Sequence, residues 1–375
     1  MKKKILVTGG AGFIGSHLVD ALISDGHAVR VLDNLEAQVH NRTGKQSAWP
    51  NYINPQAEYI LGDVRDTQVL EAALSEIDIV YHFAAATGVG QSMYQIAKYN
   101  QVNILGTANL LEKLTQRPHH VEKIIVASSR AVYGEGLYLC KRCGQVSPNL
   151  RKPENLEQKQ WEVLCPVCSG ELQPIPTPEH KPLSPGSVYA ITKRTQEELS
   201  LIVGEAYQIP VIVLRFFNVY GPRQSLSNPY TGIISTFIQR LRNHFPPEIY
   251  EDGQMTRDFV HVSDVVKACL IALAYPQSIL VNIGSGEFTT ILKIAQTLCK
   301  LIDPALEPVV VGKARVGDIR HCSADLNIAR QAFGYQPEVS LEDGLQQVVT
   351  ATSGDQTIDQ SWLAENELRQ AGLIK

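Results

Sequence analysis

Apolar residues along this chain fall into two rhythms. Short unbroken runs, as in "ILV" at residues 5–7 and "AVRVLD" at 28–33, alternate with stretches where apolar positions recur every three or four residues, as Ile14, Leu18, Ala21 and Leu22 do. Unbroken runs mark strands buried on both faces, and the helical recurrence marks a helix lying over them. The first forty residues therefore read strand, glycine turn, amphipathic helix, strand. The rhythm continues through "EYILGDVRD", "DIVYHFAAA", "KIIVASS" and "PVIVLRFFN", each separated by an interval long enough for a helix. This pattern predicts an α/β fold built on a parallel, doubly wound sheet of the Rossmann type.

The first turn, "TGGAGFIG", carries the first chemistry. Gly9, Gly12 and Gly15 fall where a tight turn, a backbone approaching a pyrophosphate and close helix packing each exclude a side chain. Amides at the helix N-terminus then face the phosphates. A glycine-rich turn alone merely joins a strand to a helix, but here strand, helix and a following acid are all in place. Asp33 ends the second strand, where it would accept hydrogen bonds from a ribose diol. A carboxylate there repels a 2′-phosphate, so NAD is expected rather than NADP. Arg42, in the next loop, is either a counterweight favouring NADP or a solvated loop residue. Asp63 and Val64 end the third run, where an adenine would dock.

Tyr189 and Lys193, in "VYAITKRTQEEL", are spaced to share one face of a helix. Ser128 and Ser129 end the strand "KIIVASS", at the edge where ligand crevices of such sheets form. A phenol is a poor base at neutral pH, but a neighbouring ammonium favours its phenolate, and Lys193 is expected to supply that charge. Tyr189 would then take a proton from a sugar hydroxyl while the carbon gives hydride to NAD, with Ser129 bonded to the same oxygen. A tyrosine and a lysine four apart are common on ordinary helices; the glycine turn and the serine strand give the pair its meaning.

Composition narrows the partners. The 375 residues are 44% hydrophobic and carry a net charge of −4, so no basic field points to nucleic acid. Lys2–Lys4 and the apolar residues after them mimic the start of a signal peptide, but the run stops at Thr8. With no segment approaching the roughly 20 apolar residues of a membrane span, a cytoplasmic protein that does not engage membranes is expected.

Seven cysteines are present, and four of them, Cys140, Cys143, Cys165 and Cys168, form two Cys-x-x-Cys pairs. In a reducing compartment that array reads as a four-thiolate zinc knuckle, with no open position for water and so a structural role. The insert runs over about residues 139–181, between the serine strand and the tyrosine helix. It is polar and rich in proline, so metal would supply the stability that burial cannot. Zinc ribbons often bind nucleic acid, but six basic and five acidic side chains over residues 139–181 make no basic patch. His180 is not needed as a ligand.

These motifs, with "GDVRD", "HFAAA", "VNILGT", "SSRAVYG", "LRFFNVYGPR", "TRDFVHVSD" and "RVGDIR" in order, resemble the extended short-chain dehydrogenase/reductases, in particular the NAD-dependent nucleotide-sugar epimerases and dehydratases. The likeness covers nearly all of the chain outside the insert. It implies Ser129, Tyr189 and Lys193 as the catalytic set. Around the cofactor it implies Phe13, Ile14, Asn34, Ala84, Ala85 and Asn103, the last supporting the lysine side. For the substrate it implies Ser92, Arg130, Asn218 and Cys322, with Arg257 and Arg315 gripping the diphosphate. Tyr230 and Thr231 are further candidates. Dehydratases of this family place an Asp-Glu pair after the catalytic hydroxyl residue; this chain has Arg130 and Ala131 instead. The resemblance therefore implies a carbohydrate 4-epimerase (an isomerase), with a net 4-ketoreductase or a zinc-containing NAD sensor as alternatives. The cysteine insert resembles that of the bacterial dTDP-L-rhamnose 4-epimerases, which implies dTDP-6-deoxy-L-talose as product; a UDP-hexose 4-epimerase is the other reading. The expected division is a cofactor domain over residues 1–138, 181–217 and 259–283, the zinc insert over 139–180, and a smaller α/β nucleotide-sugar lobe over 218–258 and 284–375. A homodimer through two helices, around residues 100–114 and 189–203, is expected from the family.

Overall fold

The protein is described from a computed structural model covering residues 2–40, 49–116, 119–226, 228, 230, 232–354, 359 and 361–375. Arg42 and Thr231 lie outside the described residues.

The apolar runs become the strands of one sheet: β1 (Lys4–Thr8), β2 (Ala28–Asp33), β3 (Glu58–Leu61), β4 (Ile79–His82), β5 (Lys123–Ser129), β6 (Val211–Phe216) and β7 (Ile279–Ile283). Their order is β7-β6-β5-β4-β1-β2-β3, and neighbouring strands are parallel. The α/β, doubly wound expectation holds. Because both faces are covered, side chains pointing either way from β1 are buried. Ile5 and Val7 pack with Leu18 and Leu22 of helix Phe13–Ser24 and with Val265 and Cys269 of helix Val262–Ala274. Leu6 faces the opposite layer, with Leu110 and Leu114 of helix Gly106–Thr115.

Strand order reverses between β1 and β4, and that switch point opens a crevice at the carboxyl ends of the strands. The glycine turn after β1 and residues 83–86 after β4 form its walls, while β5 delivers Ser129 alongside. Helix Val188–Tyr207 crosses beneath, started by Ser187, whose hydroxyl accepts from the Ala190 amide.

A second core lies beyond the sheet. Helices Ile233–Arg242, Ile291–Ile302 and Leu341–Ala351 bury Phe237, Ile294, Leu298 and Leu345 together. The last hundred residues are shared between the two cores, because Ala329, Phe333 and Tyr335 pack on the sheet side. The insert forms a small antiparallel sheet of Leu137–Cys140, Gly144–Val146 and Leu172–Ile175. Its core consists of Tyr138, Val146 and Val163 with Cys140 and Cys165.

Candidate active site and cysteine cluster

The crevice at the switch point is lined by Gly9, Gly12 and Gly15, by Phe13 and Ile14, and by the ends of β2 and β3. Asp33, Asn34, Asp63, Val64, Ala84 and Ala85 all reach it. Its shape depends on the glycines. A Cβ on Gly9 would stand 2.8 Å from the Ala84 nitrogen, and one on Gly15 would stand 2.2 Å from the Gly9 carbonyl oxygen. The turn therefore fits a dinucleotide backbone laid along it. Asp33 is buried, and its carboxylate accepts from the Ala11 amide at 3.0 Å and the Leu35 amide at 2.8 Å. Burial pushes its pKa up, against those two bonds and the nearby His40. Asp63 is held by Arg65 and by Asn34 (2.9 Å), with the Arg65 hydrogen bond chief among the causes that lower its pKa to about 2.

Ser129, Tyr189 and Lys193 converge at the inner end of this crevice. Ser129 and Tyr189 line both the crevice and a second cavity beyond it. Tyr189 is the seam between them. Burial raises its pKa, a hydrogen bond with Ser129 and the charge of Arg130 pull the other way, and burial wins. Lys193, one turn along the same helix, donates its ammonium to the Ala127 carbonyl at 2.9 Å. Burial also lowers the Lys193 pKa to about 8, with Glu197 working against it one turn along the helix.

Ser92, an expected substrate contact, and Asn103, expected to support the lysine side, both hydrogen-bond within the chain. Ser92 is fully buried and does not line the second cavity; its hydroxyl donates to the Val89 carbonyl at 2.6 Å and accepts from the Tyr189 amide at 3.0 Å. Asn103 does not line the crevice either. Its side chain clamps Ala86 from both sides (2.7 and 3.0 Å) and donates to Thr192 at 2.9 Å, joining the loop after β4 to the tyrosine helix.

The second cavity is lined by Arg130, Asn218, Tyr230, Arg257 and Arg315. The two expected diphosphate arginines differ. Arg257 donates to the carbonyls of Thr256, Ile319 and Arg320 and to the Asp318 carboxylate at 2.7 Å, which uses four of its five N–H groups on the chain. Arg315 stacks over Tyr250 at 5.8 Å, and its buried Nε has no partner among the described residues. Asn218 Oδ1 is likewise buried without a partner. Cys322 is buried, with its sulfur 3.8 Å from the Thr177 hydroxyl.

Several lining residues were not foreseen. Ala364, Glu365 and Leu368, from helix Ser361–Gln370, close the far side of the second cavity. Tyr52 lines the crevice and donates to the Ala11 carbonyl at 2.9 Å. Neither carries a motif, so only the tertiary path reveals them.

The four cysteines do come together. Their sulfurs lie within 4.8 Å of one another, and Cys140 and Cys168 approach to 3.6 Å. A tetrahedron with arms of about 2.3 Å has edges of about 3.8 Å, so the donor set suits a four-thiolate metal site. The amides of Arg142 and Cys143 point at the Cys140 sulfur and hold its thiol down at about 6.

Comparison with known proteins agrees with this geometry. Over 356 residues the chain is 38% identical to a dTDP-L-rhamnose 4-epimerase of Burkholderia thailandensis, covering 93% of this chain and 94% of that one. Among solved structures it resembles the Thermotoga maritima UDP-glucose 4-epimerase with UDP-glucose (32% identity, TM-score 0.75, 93% and 98% covered). It also resembles the Thermus thermophilus UDP-glucose 4-epimerase in complex with NAD (29%, TM-score 0.74, 94% and 100%). Residues 5–151 and 167–284 match the NAD dependent epimerase/dehydratase family, and the chain belongs to that family of nucleotide-sugar enzymes.

Proposed function

We propose that this enzyme inverts the hydroxyl at carbon 4 of a nucleotide-linked sugar, with Ser129, Tyr189 and Lys193 as its catalytic residues. The observation carrying the reading is the position of Tyr189 and Ser129, on the seam between the glycine-walled crevice and the arginine-lined cavity. Bound in the crevice, NAD supplies a hydride acceptor beside the sugar carbon. Tyr189 takes the proton from the sugar oxygen and returns it after the keto sugar has turned, while Ser129 holds that oxygen in place. Lys193, buried and turned to Ala127, keeps positive charge beneath the site. Asp33 closes the ribose end of the crevice and disfavours a 2′-phosphate.

Arg315 and the fixed charge of Arg257 suit a diphosphate, since a guanidinium pairs with phosphate oxygens. Arg130 and Asn218, near Tyr189, would meet the sugar. The best single substrate is dTDP-L-rhamnose, giving dTDP-6-deoxy-L-talose, supported by the likeness to the Burkholderia enzyme. A UDP-hexose is the second reading, supported by the likeness to the Thermotoga structure. Residues 1–138, 181–217 and 259–283 would serve the cofactor and the remainder, outside the insert, the sugar nucleotide. Cys140, Cys143, Cys165 and Cys168 would hold structural zinc, and the reduced thiols this requires fit a cytoplasmic enzyme. A homodimer is supported by Leu105, Ile191 and Ile202, exposed on helices in the regions expected to pair. With a net charge of −4 the chain offers no general attraction to nucleic acid.

Incubation with UDP-, GDP- and dTDP-sugars without added reductant, followed by sugar analysis, tests the reading. An inverted sugar is expected with no net change in NADH absorbance, and Tyr189→Phe is expected to slow turnover by about 10²- to 10⁴-fold. Stoichiometric consumption of NADH with a keto sugar would instead indicate a net reductase, and full activity of the Phe variant would remove the proton-transfer role.

A further inference from the structure

The loop at residues 314–320 is held between the substrate cavity and the cysteine insert. On the cavity side it carries Arg315, and Asp318 to Arg320 cradle the Arg257 guanidinium by the bonds already described. On the other side its contacts come from the insert and its root. Arg151 donates to the Asp318 carbonyl at 3.2 Å. The Glu135 carboxylate accepts from the amides of Arg320 (2.8 Å) and His321 (2.9 Å). Glu162 takes the Arg320 Nε at 3.0 Å, and Thr177 donates its amide to Ser323 at 2.8 Å. The approach is close throughout: a Cβ on Gly136 would lie 2.4 Å from the His321 carbonyl oxygen.

Buried ion pairs reinforce this tie. Arg151 grips Glu251 with two bonds of 2.7 and 2.9 Å, and Glu251 and Asp252 both accept from Arg320 Nη1, at 3.0 and 2.7 Å. The side chains of Arg151, Glu251 and Arg320 are at most 2% exposed. Removing one partner from such a set leaves charge stranded, so the set resists being pulled apart. Its insert side leads to the cysteines within a few residues, because Arg151 also donates to the Trp161 carbonyl (3.0 Å) and Glu162 precedes the buried Val163 and Cys165. The insert's small core is part cysteine, so a cross-link between its thiolates would stiffen the segment that carries Trp161 and Glu162.

We propose that the insert is a clamp on this loop, so that metal at the four cysteines sets the affinity for the nucleotide-sugar by fixing Arg315 and Arg257, with Arg151 and Glu162 as positioning residues. This rests on the reading that the substrate diphosphate lies against those arginines.

The test is calorimetric binding of dTDP and UDP to the NAD-loaded full-length enzyme, beside KM and kcat. Arg315→Ala is expected to weaken nucleotide binding roughly tenfold or more, which tests the underlying reading. Arg151→Met and metal removal by a chelator are each expected to weaken binding about 5- to 20-fold and raise KM to match, with kcat within about twofold and NAD retained. Glu162→Gln, on a side chain 62% exposed and so safe for folding, should follow with a smaller loss, and added Zn²⁺ should restore the chelated enzyme. If Arg315→Ala weakens binding while chelation and Glu162→Gln leave it unchanged, the clamp is wrong and the substrate reading stands. If Arg315→Ala changes nothing, the diphosphate is elsewhere and both fall.

Discussion

The backbone amide of Tyr189 donates to the hydroxyl of Ser92, 97 residues earlier in the chain, at 3.0 Å. Tyr189 lies in the first turn of its helix, where amides have no partner inside the helix, and Ser92 supplies one from another element. The serine thus fixes where the phenol stands. Ser92→Ala is expected to cost about 1 kcal/mol of stability and to lower kcat roughly tenfold with KM little changed. Steady-state kinetics across pH decides the matter. A loss of stability with unchanged kcat would make Ser92 purely structural.

Gly15 is the tightest point of the cofactor turn. A methyl group at this position would overlap the Gly9 carbonyl oxygen at 2.2 Å and crowd the Gly10 Cα at 2.8 Å, and backbone cannot swing aside as a side chain can. Gly15→Ala should therefore open the turn. We expect the purified variant to lose bound NAD, with NAD affinity falling by at least about tenfold, a fraction of what one disturbed helix N-terminus contributes to phosphate binding. Retention of NAD at parental levels would show that the turn does not cradle the pyrophosphate.

Local pattern made much of this legible. The unbroken apolar runs, the glycine spacing, the four-residue interval from Tyr189 to Lys193 and the paired cysteines each encode geometry within one or two elements, and each holds in the fold. Contacts made across the chain were not legible in the same way. Motif order marked Asn103 as a support on the lysine side and Ser92 as a substrate contact, but the partners each uses, Ala86 and Thr192 for one and Val89 and the Tyr189 amide for the other, come from tertiary contact alone. Arg257 carries the expected charge, but its donors are taken by a loop some sixty residues onward. Cys322 pairs in register with Arg257 on the neighbouring strand and is fully buried, a placement that depends on strand pairing across the chain.

Lys193 gives stability a defined pH dependence. Its folded pKa is lowered to about 8 from 10.5, chiefly by burial. Between those values the unfolded chain binds the proton and the native protein does not, so stability rises with pH across that window. Below about pH 8 the protein carries the full burial cost of the ammonium. Lys193→Met, inactive, is therefore expected to unfold at a higher temperature than the parent near pH 7, by an amount worth on the order of 1–3 kcal/mol, and to lose most of that advantage toward pH 10. Scanning calorimetry over that range measures it; an advantage that is flat with pH would contradict the assignment.

Glu197 sets the other limit on the same lysine. Its carboxylate pairs with Arg215 at 2.7 and 2.8 Å, accepts from Ser128, and raises the Lys193 pKa against burial. In Glu197→Gln that support is lost, the Lys193 pKa falls further, and Arg215 is left buried without its counter-charge at a cost of about 3–5 kcal/mol. If catalysis requires the lysine protonated, the alkaline limb of kcat/KM must then move to lower pH, since the proton is now released earlier. A limb that stays in place in Glu197→Gln would assign the titration to a different group, with Tyr189, whose pKa burial raises, as the first to examine.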